Sequence, residues 1–505
     1  MPKELTALSA VQLRRLIGTG EISPVALLEA CINRIRRYNP AVNAMAATCF
    51  ARARQEAAEA ERQVRAGEPL GPLHGIPLAV KDLEDTAGLL TTRGSPLLRT
   101  NVPDSDAASV ARLRAAGAIV VGKTNVPEWG AGANSRNPVW GATGNPFAPL
   151  RNAGGSSGGS AAALACDMVP LATGSDTGGS LRIPAALCGV VGFRPSPGIV
   201  ASERRALGWS PISVVGPMGR TVADTRLQLA AEAGVDAADP LTYPFATAAL
   251  ETREDVNLSE LRVGYTEDFG ICLVDQDIRE TFRQTIAAIR PLVASCDELP
   301  DTTIAAMADA DRCFDVIRAI GFVTGYHDIY QRDPALLGDN VRANYEIGAA
   351  MSLADVGWAH QQQTTIFRRF NELFHGVDVV LAPVTPVSRF PWSQLYAAEV
   401  DGQPTRNYYH WLGLTYVITL TTNPALSLPC GTDAAGMPFG LQIIGAHRAD
   451  ARLLDIAEEM ERAFAKVPAL RRPIPDRAAL ERPVPQLRAL VSAPPPPELT
   501  RDDIE

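Results

Sequence analysis

Two glycine-rich segments carry serines whose setting suits nucleophilic catalysis. Ser156 lies within GGSSGGS at 154–160, and Ser180 ends GSDTGGS at 174–180. The apolar run between the two segments excludes a flexible linker, which would be polar throughout. Glycines followed by a helix leave backbone N–H groups free to bind an anion, or the oxyanion of an acyl-transfer transition state. The pattern therefore predicts that Ser180 supplies an attacking hydroxyl.

A lysine at the end of a strand-like segment completes the set. The segment HGIPLAVKD delivers Lys81 directly after an apolar run, where the side chain is expected to enter the interior. Together with GGSSGGS and GSDTGGSLRIPAALCGVVGFRPS, it resembles the amidase signature family of serine hydrolases. The resemblance covers roughly residues 5–465, where GKTNVPEWG, GPMGRTVADT and NPALSLPCG are further landmarks. It implies a Ser–cisSer–Lys triad of Ser180, Ser156 and Lys81, with a cis Gly155–Ser156 peptide.

The resemblance also implies a mechanism. The neutral amine of Lys81 accepts a proton through Ser156 while Ser180 attacks the amide carbonyl, and a covalent acyl-enzyme forms. Because burial lowers the pKa of a lysine from its usual ~10.4, an interior lysine can act as a general base. The amides expected to bind the oxyanion are those of Thr177, Gly178, Gly179 and Ser180. No metal or organic cofactor is required.

The surroundings of the triad carry further expectations. Relatives line the acyl pocket with the residues after TNVPE, which here are Trp129, Gly130, Ala131 and Ala133. The small residues among them favour room for a bulky or aromatic acyl group. Asp176 and Arg182 flank the Ser180 turn and could form an ion pair that fixes it, or could be two ordinary polar residues at a helix start. Ser157 is predicted to support the triad, and Thr422, where relatives often have glycine, could reshape the pocket.

These residues predict an enzyme that hydrolyses a small carboxamide or N-substituted amide to a carboxylic acid and ammonia or an amine. Aryl acylamides, urethanes, hydrazides, cyclic imides and carboxyureas are all open as substrates. One alternative is the glutaminase (A) subunit of a tRNA-dependent amidotransferase, although its usual AGLPA-type segment is absent. A second alternative, of another class, is a non-catalytic binding protein on the same fold, which an intact Lys81, Ser156 and Ser180 disfavour.

Two other motifs match formally and are rejected on their context. GAIVVGKT at 117–124 fits a phosphate-binding loop, but its apolar, β-prone residues predict a strand. Ser156 and Ser157 each fit GxSxG, the nucleophile elbow of a Ser-His-Asp esterase, but the preceding NPFAPLRNAG lacks the apolar run of the strand that an elbow requires. The six histidines are scattered without a partner motif or zinc-ligand spacing. A Ser-His-Asp esterase is therefore a minor alternative, and no metal site is predicted.

The composition fits a soluble enzyme. Of the 505 residues, 46% are hydrophobic and 20% are charged, and a net charge of −9 gives no support to a nucleic-acid partner. The eight cysteines lack CxxC pairs, which favours a reducing cytoplasm. The chain has no signal-peptide-like start and no run of ~18 apolar residues that could span a membrane. We expect a cytoplasmic enzyme whose partner is a small amide, and a homodimer by family habit.

Helix and strand patterns alternate along the chain, which predicts an α/β fold: a single large α/β/α sandwich with a mixed central sheet covered by helices, over residues 1–466. Besides IPLAV and 118–121, strands are expected at 169–173, 189–193, 261–265, 377–382 and 438–444. Helices are expected near 221–233, 276–290, 302–324, 353–374 and 450–466. The proline-rich segment 467–505 predicts an extended tail that wraps the surface or is partly disordered.

Overall fold

Helices and strands alternate along most of the chain in a computed structural model, which describes residues 4–500 apart from the side chain of Ala306. The α-helices are α1 (Ala10–Gly18), α2 (Pro24–Val42), α3 (Phe50–Ala66), α4 (Ala108–Ala115), α5 (Gly158–Ala165), α6 (Arg182–Cys188), α7 (Val222–Glu232), α8 (Ala248–Glu251), α9 (Gln276–Ile289), α10 (Asp301–Ala306), α11 (Ala310–Arg332), α12 (Asp339–Ala349), α13 (Leu353–Glu372), α14 (Gly413–Thr421) and α15 (Asp450–Phe464). The strands are β1 (Met45–Thr48), β2 (Pro77–Lys81), β3 (Ile119–Thr124), β4 (Arg136–Asn137), β5 (Gly141–Ala142), β6 (Gly144–Asn145), β7 (Ala148–Asn152), β8 (Leu171–Asp176), β9 (Val191–Arg194), β10 (Val214–Gly219), β11 (Arg262–Tyr265), β12 (Ser295–Glu298), β13 (Val379–Pro383), β14 (Glu399–Val400), β15 (Gln403–Pro404), β16 (Ala425–Thr432) and β17 (Pro438–Ile444).

The central sheet contains 11 of these strands, in the order β1-β3-β2-β8-β10-β9-β16-β17-β13-β11-β12. Strand β2 is parallel to β3 and β8, β11 is parallel to β12 and β13, and the other neighbours are antiparallel. Both faces of β2 are covered, because Leu78 packs in a core with α1 and α4 whereas Ala79 packs in a core with α3 and α5. The predicted mixed sheet covered by helices is therefore confirmed. Within residues 4–500, no helix combines the length and the apolar character needed to cross a bilayer.

Several elements differ from their predicted bounds, for physical reasons. The strand expected at 438–444 is β17, but the helix expected at 302–324 is two helices, α10 and α11, separated at 307–309. Strands β10 and β16 escaped the sequence patterns because each carries a proline in its interior, which is rare in strands, whereas the proline of β17 is its first residue. Helix α14 is buried along its whole length, so it lacks the alternation of polar and apolar faces that marks a surface helix.

The proline-rich segment after α15 lies against the rest of the chain through three leucines. Leu470, Leu480 and Leu487 are buried, although the segment forms only short 3-10 turns between them. Leu480 joins the core that contains α3 and α5, and Leu487 packs with Trp392 beside the β4–β5 hairpin. The three buried leucines therefore hold this irregular segment against the rest of the chain.

Removing one anchor is expected to loosen this segment. Leu487→Ala deletes a fully buried side chain, and such deletions cost about 2–5 kcal/mol. Amide hydrogen exchange should therefore accelerate around residues 483–493. Leu499→Ala is the matched control, because Leu499 is 38% exposed and its loss should cost less than about 0.5 kcal/mol. Equal exchange in the two variants would show that Leu487 is not an anchor.

Candidate active site

Strand β2 delivers Lys81 to the start of helix α5. Side chains alternate along a strand, so Lys81 shares the face of Ala79, which packs in the core that contains α5. Ser156 and Ser157 lie immediately before this helix. The helix sequence GGSAAALA consists almost entirely of small residues, all of them buried, which lets it pack closely against the sheet. The strand end and the helix start therefore bring the lysine and both serines together.

The Lys81 amine is fully buried and surrounded by hydroxyls. Nζ donates to Ser156 Oγ at 2.8 Å, to Ser157 Oγ at 2.7 Å and to Ser175 Oγ at 2.9 Å. The Lys81 main-chain N–H donates to Thr173 Oγ1 at 2.9 Å, which fixes the end of the strand. A hydroxyl both donates and accepts hydrogen bonds, so this shell can hold the amine in its charged or its neutral form. The arrangement suits a lysine that exchanges protons.

Burial also sets the charge of this amine. Removal from water lowers the pKa of Lys81 to about 7, while the carboxylates of Glu84 and Asp176 act in the opposite direction. Glu84 is itself buried, and burial raises the pKa of its carboxyl although Lys123 and Lys81 lower it. Burial therefore favours the neutral form of the Lys81 amine, which is the form that a general base requires.

The turn between β8 and α6 carries Ser180. Gly179 has a φ of 121°, and a Cβ there would overlap Thr415 Oγ1, so only glycine fits. The Gly179 N–H donates to Asp176 Oδ1 at 2.9 Å, so this amide is already engaged. Among residues 4–500, no protein acceptor takes a hydrogen bond from the other amides predicted for the oxyanion, those of Thr177, Gly178 and Ser180.

The Asp176 carboxylate is buried between two arginines. Oδ1 accepts from Arg182 Nη2 at 2.8 Å and Oδ2 accepts from Arg182 Nε at 3.0 Å, while Arg194 Nη1 donates to Oδ1 at 3.2 Å. All three side chains are fully buried. Burial raises the pKa of Asp176, but the two guanidinium groups outweigh it and hold the pKa well below its usual range. The ion pair considered for Asp176 and Arg182 is present, and Arg194 extends it.

Ser156 and Ser180 line the same cavity, whose volume is about 260 Å³. The peptide between Gly155 and Ser156 is cis. In the described part of the chain, no hydrogen bond joins the hydroxyls of Ser156 and Ser180; such contacts often tighten only when substrate binds. The walls combine apolar and aromatic residues with polar ones. The first group includes Leu83, Ile317, Phe322 and Tyr326, and the second includes Thr177, Ser213 and the arginines Arg205 and Arg318. A larger cleft between α2 and the C-terminal segment contains none of the predicted triad.

The residues expected to shape the acyl pocket separate into two groups. Trp129 and Gly130 line the cavity, and a Cβ on Gly130 would lie 3.5 Å from Ser156 Oγ. Ala131 is buried but is not among the cavity-lining residues, and its carbonyl accepts a hydrogen bond from Asn340 Nδ2 at 2.8 Å. Thr422 ends α14 with a φ of 56° and also lies outside the cavity lining, so its expected influence on the pocket has no support in this geometry.

The rejected motifs have other structural roles. Residues 119–124 of GAIVVGKT form the buried strand β3. A strand does precede Ser156, namely β7, but it pairs with β6 in a hairpin outside the central sheet and is no nucleophile elbow. None of the six histidines lines the cavity of Ser180. Within residues 4–500, no cluster of histidine, cysteine or carboxylate side chains could hold a metal ion.

Several residues of the site were not predicted. Ser175 contacts the Lys81 amine and stands within GSDTGGS, so its sequence position alone could have indicated it. Glu84 follows Lys81 by one turn, where its N–H donates to the Lys81 carbonyl at 3.0 Å. Arg194 stands within GSDTGGSLRIPAALCGVVGFRPS, so its position there could have indicated it, whereas Arg318 carries no local signal and reaches the cavity only through the fold.

A buried amine in contact with a serine hydroxyl, with a second serine on the same cavity of an α/β sandwich, defines a class: enzymes that can transfer the acyl group of an amide or ester. A family model described as Amidase matches residues 26–454. The chain therefore belongs to the amidase signature family, and it is an amide-hydrolysing enzyme.

Relatives and solved structures agree with this assignment. The chain is 34% identical to an acylamidase of Rhodococcus erythropolis over 456 residues, which cover 90% of this chain and 95% of the relative. It is also 34% identical to the A subunit of the glutamyl-tRNA(Gln) amidotransferase of Roseiflexus castenholzii, over 91% of this chain and 96% of that protein. The crystal structure of a bacterial aryl acylamidase of the amidase signature family superposes with a TM-score of 0.83 at 28% identity, covering 91% of this chain and 96% of that one.

The pH dependence of activity should report the Lys81 amine. If the neutral amine is the base, kcat/KM rises with pH around a midpoint near 7. Glu84→Gln removes a negative charge that favours the charged amine, so the midpoint should move to lower pH. Glu461→Gln is the control, because its carboxylate accepts from the Val222 amide and does not act on Lys81. A midpoint that stays or rises in Glu84→Gln would contradict this electrostatic coupling.

The stability of the Ser180 turn should depend on the Asp176 charge. Asp176→Asn keeps the shape but leaves two buried guanidinium groups without their carboxylate, and breaking a buried pair in this way costs about 3–5 kcal/mol. Chemical denaturation should show this loss in the free energy of unfolding. Asp378→Asn removes the partner of Arg262 at the surface and should cost at most about 1 kcal/mol. Similar losses in the two variants would rule out a special role for the buried pair.

Proposed function

We propose that this amidase hydrolyses carboxamides or N-substituted amides through an acyl-enzyme on Ser180, with Ser156 as proton relay and Lys81 as base. The observation that supports this most directly is the buried Lys81 amine, 2.8 Å from Ser156 Oγ, on the cavity that Ser180 also lines. The lowered pKa of Lys81, caused by burial, makes a neutral amine available near pH 7. Ser157 and Ser175 hold the amine in place through their hydroxyls.

In the acylation step, Ser180 Oγ forms a bond to the amide carbonyl carbon and its proton passes through Ser156 to Lys81. The negative oxygen is bound by the amides of Thr177, Gly178 and Ser180, whereas the Gly179 amide serves Asp176 and so fixes the turn. Ser156 then returns a proton to the nitrogen as the carbon–nitrogen bond breaks. Water attacks the ester by the reverse relay and releases the carboxylic acid. Ser180, Ser156 and Lys81 account for every proton transferred in these steps, so no further residue is needed.

The cavity supports an aromatic or bulky group in the substrate. Trp129 and Tyr326 pack edge to face with ring centroids 5.5 Å apart, and Phe322 lies beside Tyr326 at 5.6 Å. Such rings favour contact with a flat apolar group. The similarity to an aryl acylamidase structure points to the same class of substrate. An aryl amide, with the ring on either side of the scissile bond, is therefore the substrate class we favour.

A glutaminase component of an amidotransferase is the second candidate, because relatives at 34% identity carry the name of the glutamyl-tRNA(Gln) amidotransferase A subunit. Such a protein would prefer glutamine and would work with other subunits. We favour the free-standing amidase because the aromatic rings of Trp129, Phe322 and Tyr326 line the cavity beside its polar residues. We further propose that the enzyme is a homodimer in a reducing cytoplasm. Its partner is a small-molecule substrate, and neither nucleic acid nor a membrane is a partner. Seven buried cysteines and the net charge of −9 support the compartment and the absence of nucleic acid.

Steady-state and burst kinetics on aryl amides and on glutamine test the triad and the substrate class together. Ser180→Ala should lower kcat by about 10⁴-fold or more, and Lys81→Met and Ser156→Ala by at least about 10²-fold. Ser259→Ala and Lys466→Met are matched controls, because both side chains are exposed and away from the cavity. Undiminished hydrolysis by Ser180→Ala would refute the nucleophile, and turnover of glutamine but not of aryl amides would favour the glutaminase.

A further inference from the structure

Helix α11 presents an arginine to the cavity of Ser180. Ile317, Arg318, Gly321 and Phe322 recur at helical spacing and form the wall, together with Tyr326 one turn further on. The same helix approaches the Ser180 turn, since a Cβ on Gly178 would lie 3.2 Å from the ring of Phe314. Arg318 therefore lines the same cavity as Ser180, the proposed nucleophile.

Arg318 differs from the other deeply buried arginines in its partners. The other arginines with comparable burial in residues 4–500 all have a carboxylate within 4.0 Å; they are Arg34, Arg182, Arg194, Arg220 and Arg226. Arg318 is only 7% exposed, yet no carboxylate of the described chain lies within that distance of its guanidinium group. A buried charge without a counter-charge is costly, so this arrangement calls for an explanation.

The guanidinium group of Arg318 is held in place, but not all of its N–H groups have a hydrogen-bond acceptor. Nε donates to Asn344 Oδ1 at 3.2 Å, and Nη2 donates to Tyr408 Oη. The group also lies over the rings of Phe322 and Tyr409, at 4.9 and 5.2 Å from their centroids. Nη1 donates to no described residue, and it is not among the polar atoms sealed inside the protein. The cation that lines the cavity therefore keeps one N–H-bearing nitrogen, Nη1, without a described acceptor.

We propose that Arg318 binds a carboxylate of the substrate, so that the preferred substrates are amides that carry an anionic carboxylate on an aromatic body. This rests on the proposed function of the same cavity. The aromatic rings contact the body of the substrate, and Nη1 donates a charge-assisted hydrogen bond to one carboxylate oxygen. A second arginine on the wall, Arg205, does not compete, because Asp239 already pairs with it.

Two matched pairs of compounds test this: benzamide against 4-carboxybenzamide, and acetanilide against 4-acetamidobenzoate, which place the carboxylate on either side of the scissile bond. The ratio of kcat/KM within each pair is measured for the wild type, Arg318→Met and Arg318→Lys. The wild type should prefer the carboxylate in at least one pair. Arg318→Met should lower kcat/KM for that compound by about 10- to 100-fold while the neutral member changes far less, and Arg318→Lys should keep part of the preference. Arg205→Met should change both members alike.

Calorimetric binding of the same compounds to Ser180→Ala separates this inference from the proposed function. Preferred binding of a carboxylate compound that Arg318→Met abolishes would support the inference even without turnover. Should turnover fail while this preference persists, only the proposed function falls. Two results would overturn the inference. In the first, neutral amides are hydrolysed but no carboxylate compound is preferred in binding or in kcat/KM. In the second, Arg318→Met affects both members of a pair equally. In either case Arg318 has a purely structural role, stacked on aromatic rings. Because Arg318→Met could unfold, the wild-type preference and its weakening by salt are measured as well.

Discussion

The Asp176 carboxylate is the contact on which the site depends. It lies fully buried, and it remains charged because Arg182 and Arg194 outweigh the cost of burial. The same carboxylate accepts the N–H of Gly179 and of Leu181, on either side of Ser180. One ionic group therefore fixes both ends of the turn that carries the proposed nucleophile.

The two arginines connect this turn to distant parts of the fold. Arg182 donates to the carbonyl of Thr415 in α14 and to Gln442 Oε1 in β17. Arg194 donates to the carbonyl of Ile212, next to the cavity wall. Lys81 is placed by the sheet at the end of β2, and burial lowers the pKa of its amine against the opposing effect of the Glu84 and Asp176 carboxylates. The Asp176 carboxylate thus contacts the turn of the proposed nucleophile and also acts electrostatically on Lys81, the proposed base.

The sequence predicted the site residues that stand in recognisable short segments. It left out those that reach the site through contacts between distant parts of the chain. Lys81, Ser156 and Ser180 stand in segments whose glycines, serines and apolar runs indicate their setting, and the structure brings them to one place. The pairing of Asp176 with Arg182 spans one helical turn and could be considered from spacing alone. Arg194 stands in the segment GSDTGGSLRIPAALCGVVGFRPS, but its contact with Asp176 depends on strand pairing. Arg318 reaches the cavity only through helix packing, which no local pattern reports.

The fold shows the same division. Strand β17 carries its proline at its first residue, where a strand tolerates it. Strands β10 and β16 carry prolines in their interior, which disfavour a strand by local propensity and are accommodated by the surrounding sheet. Ala131 belongs to the predicted pocket segment, but it does not line the cavity of Ser180. Local chemistry thus indicated which residues could react, and tertiary packing decides which of them meet.

The most direct test of the mechanism is to locate the acyl group. The wild type is mixed briefly with an activated aryl ester or amide, quenched in acid, digested and sequenced by mass spectrometry, with Ser180→Ala treated in parallel. An acyl group on Ser180 of the wild type, and none on the corresponding peptides of the variant, is the predicted result. An acyl group on Ser156 or Ser157, or an adduct that persists in Ser180→Ala, would contradict the assignment of Ser180 as the nucleophile.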